Sequence, residues 1–83
     1  MADTKGTARN AYLIEVQMKA AVAYMEEAQK AVRIAQDTVT SGGEDDSEMG
    51  ELLVMQRMLS MGLKDANRIV ERWTETRTAR ENA

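Results

Sequence analysis

The 83-residue chain has no cysteine, no histidine, no proline and no phenylalanine. Each absence removes a class of chemistry. Without cysteine there is no disulfide, no thiolate nucleophile and no sulfur-ligated metal. Without histidine, the usual general base at neutral pH and the commonest metal ligand are missing. Without proline, the five glycines are the only strong local breakers of a helix. Aromatics are limited to Tyr12, Tyr24 and Trp73, so a core has to be built from Ala, Met, Val, Leu and Ile. With the tyrosines set aside, the longest apolar runs are four residues, at 20–23 and 52–55. A membrane-spanning helix needs ~20. No charged stretch followed by an apolar segment opens the chain, so no signal peptide is read and a cytoplasmic location is expected.

What is present favours helix. Ala, Glu, Gln, Met, Leu and Arg dominate, and 43% of residues are hydrophobic, too many for a disordered segment. Residues 1–6 are polar and expected to fray. Thr7 is a suitable N-cap, because its hydroxyl can accept from an unpaired amide of the first turn. Ile14, Met18, Ala21, Met25, Ala28, Val32, Ala35 and Val39 follow at alternating spacings of 4 and 3, a heptad seam over a helix of about 8–40. The turn at 41–46 contains Gly42 and Gly43, either of which can take the left-handed conformation that closes a helix. Asp45 with Glu48 resembles a capping box for the next helix, at about 47–76. That helix carries the matching seam of Leu52, Met55, Leu59, Gly62, Ala66, Ile69 and Trp73, with Trp73 expected to close the open end against Tyr12 or Ile14. Residues 77–83 lose the apolar pattern and are expected to fray. The short connection makes the helices antiparallel neighbours. The fold expected is therefore all-α: one domain over 1–83, a two-helix antiparallel, coiled-coil-like hairpin.

A hairpin needs one apolar stripe per helix, and this chain has more. The first helix adds Leu13, Val16, Ala20, Tyr24, Ala31 and Ile34, and the second adds Leu53, Val54, Met58, Met61, Leu63 and Val70. Residues 52–61 are apolar almost all round, which is the pattern of a helix covered on more than one side. A bundle completed by self-association or by a helical partner is expected, with Leu53, Val54, Met58, Met61, Tyr24 and Ile34 as the partner-binding residues. Methionine suits such a surface because it is flexible and polarizable. The alanines at 21, 28 and 35 admit two readings, tight packing of the hairpin or a groove left for a third helix.

No catalytic set emerges. The serines and threonines have no activating base, and the acids fit solvated faces and helix capping. The acid-rich stretch 44–51 lacks the ligand spacing and central glycine of a calcium loop, and no glycine-rich phosphate loop exists. No enzyme activity, cofactor or metal is expected. Lys64, Arg68 and Arg72, extended by Arg77 and Arg80, form a basic line that could meet phosphates. The net charge of −3 and the interleaved Asp65, Glu71 and Glu75 argue against nucleic acid as partner.

The stretch Met55-Gln56-Arg57 and Gly62-Leu63-Lys64-Asp65-Ala66-Asn67-Arg68-Ile69-Val70, preceded by Ser-Gly-Gly, resembles the small co-chaperones of type III secretion needle subunits. The resemblance covers 41–73. It implies a short helical hairpin in the cytoplasm. Such a hairpin pairs with a second, helical-repeat chaperone and keeps an aggregation-prone needle subunit soluble before export. Needle subunits are themselves hairpins of similar length, but their proline-bounded turn is absent here.

Overall fold

The computed structural model describes residues 6–44 and 46–83. Two long helices pack side by side: α1, Ala8–Ser41, and α2, Met49–Glu81. They form an antiparallel hairpin measuring 62 × 15 × 14 Å. Among the described residues there is no strand.

Thr7 starts α1 as its composition predicts. Its hydroxyl accepts from the Asn10 amide at 3.2 Å, and its carbonyl from the Ala11 amide at 3.1 Å. At the far end the Gly42 amide donates to the Thr38 carbonyl at 2.8 Å, and Gly43 takes the left-handed conformation at φ +70°. A side chain at that φ is strained, so the chain turns here at little cost. A single 3-10 turn, Asp46–Glu48, leads into α2. The helix begins at Met49 with Glu48 as N-cap, and Glu48 makes no side-chain capping bond. The Asp45 half of the expected capping box lies outside the described residues.

From Met18 onward the α1 seam follows its heptads, with Val32 buried and Met18, Ala21, Met25, Ala28, Ala35 and Val39 half-buried. On α2, Ala66 is buried and Leu52, Leu59, Gly62, Ile69 and Trp73 are half-buried. Two expected seam residues are displaced outward: Ile14 is 38% exposed and Met55 is 49% exposed. At the open end the seam runs instead through Ala11 and Glu15, both buried. Ala11, Glu15 and Met18 are spaced by 4 and 3, one residue out of phase with the seam read through Ile14, with a carboxylate where an apolar residue is the usual choice.

That carboxylate also explains a second correction. Residues 77–83, expected to fray, are helical as far as Glu81. Arg77 donates from Nε to Glu15 at 2.6 Å, and Arg80 donates from Nη1 to the Thr7 carbonyl at 3.1 Å. Polar bonds to α1 thus hold the end of α2 where apolar contacts run out. Trp73 is half-buried with the Arg80 guanidinium 5.8 Å from its ring centroid, a cation–π contact. Tyr12 and Ile14, the neighbours expected for Trp73, are 52% and 38% exposed.

Candidate interaction surface

The hairpin has two unlike faces. One is crossed by polar bonds from helix to helix. Gln36 Nε2 donates to Gln56 Oε1 at 3.0 Å, and Gln29 Nε2 to the Ser60 hydroxyl at 3.0 Å. Glu15 completes the row. It accepts from Arg77 and from the Thr74 hydroxyl, each at 2.6 Å, with Lys19 Nζ at 3.3 Å. These donors, Arg77 foremost and then Thr74, hold the Glu15 carboxyl down at about 2 from an ordinary 4.5, against the opposing effect of burial. A carboxylate that accepts from three donors and is only 2% exposed is a clamp between the helices.

Among the described residues, the opposite face carries no side-chain to side-chain hydrogen bond from helix to helix. Ala28, Ala31 and Val32 of α1 and Met55, Met58 and Leu59 of α2 line a wholly apolar groove of about 360 Å³. The groove is open because Ala28 and Ala31 stand where larger residues would fill the space between the helices. Further along, Gly62 performs the same office. A Cβ at that position would lie 3.2 Å from Met25 Sδ, so its absence lets the backbones come close.

Of the six partner-binding residues predicted from the sequence, Met58 lines this groove, and the other five are exposed side chains outside its lining. Met58 itself is 66% exposed. Tyr24, 75% exposed, lies one heptad before Ala31 on the same row. Ile34 follows Ala31 by three residues, and Val54 and Met61 flank Met58 at four before and three after. All three are exposed. Leu53, also exposed, falls on the side of Gln56 and Ser60 and is separated from the others. Met55, a seam residue by its spacing, forms a wall of the groove.

A second hollow, lined by Asp65, Arg68, Ile69 and Arg72, adjoins the basic line. Arg68 pairs there with Asp65 at 2.8 Å. Arg77 and Arg80 are committed to the hairpin itself, which leaves Lys64 and Arg72 as the unengaged part of that line. Among the described residues no group of three or more acidic side chains is placed to hold a metal ion. Among them, too, no helix is long and apolar enough to cross a membrane. Compared with protein-family models, with curated proteins and with solved structures, the chain matches none.

Proposed function

We propose that this chain is a non-catalytic protein–protein interaction module that docks onto α-helices through its groove face. One observation carries the reading. Large apolar side chains surround a groove on one face, while polar bonds close the other. Exposed apolar surface so concentrated belongs to contact sites, and an alanine-floored groove between two helices fits a third helix. In its finer form the reading is chaperone-like, in keeping with the resemblance to needle-subunit co-chaperones. A cytoplasmic hairpin would then cover the apolar face of another helical protein. A structural homo-oligomer is the second reading, favoured by the order of side chains along the groove.

The test is the double variant Met58→Asp with Met61→Asp. Both side chains stand outside the hairpin seam, so circular dichroism should report nearly unchanged helicity at low protein concentration, while association measured by light scattering disappears. Collapse of the helical signal would make these residues part of the hairpin core and overturn the docking assignment.

A further inference from the structure

We infer that the groove face is covered by a second copy of the chain, turned end for end, so that two hairpins close into an antiparallel four-helix bundle with their turns at opposite ends. The inference rests on the docking reading above and names its occupant.

The bonds between the helices set their relative level: Gln29–Ser60 and Glu15–Thr74 total 89 and Gln36–Gln56 and Glu15–Arg77 total 92, so residues lie side by side when their numbers total about 90. Over the groove face, the rows directed toward a covering partner are Gln17, Tyr24, Ala31 and Thr38 on α1 and Glu51, Met58, Asp65 and Arg72 on α2, each at intervals of seven. A two-fold axis crossing α1 midway between Tyr24 and Ala31 brings Tyr24 over Ala31 of the second copy, large against small. The same axis brings Gln17 to Thr38, polar against polar. Midway between Met58 and Asp65 on α2, an axis brings Glu51 to Arg72 of the second copy, acid against base. The first midpoint lies between residues 27 and 28 and the second between 61 and 62, within about one residue of a common level by the cross-helix bonds. A single axis therefore serves both helices, as a self-complementary interface requires.

Charge excludes the other stacking. With both turns at one end, Glu44, Glu48 and Glu51 of the two copies would crowd together, and like charges across an interface oppose association. Turned end for end, Glu51 meets Arg72 twice. Among the described residues neither has an ion-pair partner in its own hairpin. Met58 falls opposite Asp65, whose carboxylate is already paired with Arg68. The area is also sufficient. A face 62 Å long and 15 Å wide offers about 900 Å², against the ~800 Å² that each partner contributes to an ordinary stable interface.

Because the chain has no cysteine, single-cysteine variants report the arrangement cleanly. Glu51→Cys and Arg72→Cys proteins are mixed and treated with a short thiol-to-thiol cross-linker. The two sites are separated by ~31 Å along one α2 helix, at ~1.5 Å per residue, so they meet only across copies. Light scattering of the unmodified chain is expected to give twice 9.3 kDa through a dilution series. The mixture is expected to cross-link several-fold more than Glu51→Cys alone. A mass of 9.3 kDa at every concentration, with helicity intact, would overturn the inference while leaving the groove for a different helix. A dimer that cross-links through Glu51→Cys alone, with its turns together, would overturn it as well. Failure of the docking reading itself is seen elsewhere, in lost helicity of the Met58 and Met61 double variant.

Discussion

At position 15 a carboxylate occupies a seam site where an aliphatic side chain is the ordinary choice. Burial alone would favour its neutral form, but Arg77, Thr74 and Lys19 surround it and keep it ionised down to about 2. A folded-state pKa below the unfolded value means that the native state binds protons less readily. The clamp therefore stabilises the fold fully above about 4.5, and its contribution is lost as pH falls from there toward 2. Glu15→Gln should have a lower urea midpoint than the parent at pH 7. The gap should narrow through pH 4 and 3 and nearly close at pH 2. A gap that stays constant across that range would show that the charge of Glu15 is not what binds the helices. This clamp was hidden in the sequence. Glu15 keeps the 4-and-3 spacing with Ala11 and Met18, yet its chemistry excludes it from any seam until Arg77 is known to face it.

Among the elements, α1 is legible nearly from end to end, because its cap, its heptads and its glycine stop are all local signals. The later part of α2 is less so. Its last turns carry Arg77, Arg80 and Glu81 in place of apolar residues, and are held by bonds from Arg77 and Arg80 to α1 and by the Arg77–Glu81 pair within α2. The glycines of α2 show how position within one element changes the value of a residue. At Gly50 a Cβ would meet nothing within 4 Å, whereas at Gly62 it would meet Met25 Sδ. Gly50→Ala should stabilise by about 0.5–1 kcal/mol, the helix-propensity difference between the two residues. Gly62→Leu should destabilise by about 1–3 kcal/mol, because it forces the helices apart. Urea unfolding of the two variants beside the parent checks both signs. A destabilising Gly50→Ala would show that the turn before α2, and not helix propensity, governs this end of the hairpin.

As a whole the molecule is a thin rod with little interior. The apolar side chains buried within it are Ala11, Val32 and Ala66, two of them alanines. Two helices lying side by side cannot enclose more, and chains of this size have little stability to spare. Covering the groove adds buried area that the single hairpin cannot supply, and it couples stability to concentration by mass action. If a second copy provides the cover, each tenfold rise in protein concentration should raise the melting temperature by about 3–6 °C. A melting temperature that does not move over a hundredfold range would mean the hairpin stands by itself.

What the sequence by itself determined is the class of fold: two amphipathic helices, a glycine turn between them, and more apolar surface than their mutual seam can hide. These are properties of short windows, set by side-chain period and backbone preference, and they survive without knowledge of what lies across the seam. Only the tertiary structure decided how each stripe is rotated. An apolar pattern locates a seam to within about one side chain, and that margin separates Ile14 from Glu15 and moves Met55 from the seam to the groove wall. The choice is made by partners distant in sequence, with Glu15 and Arg77 separated by 62 residues and Gln36 and Gln56 by 20. Once those polar groups pair on one face, the apolar groove is left on the other, with Met55 and Met58 in its lining.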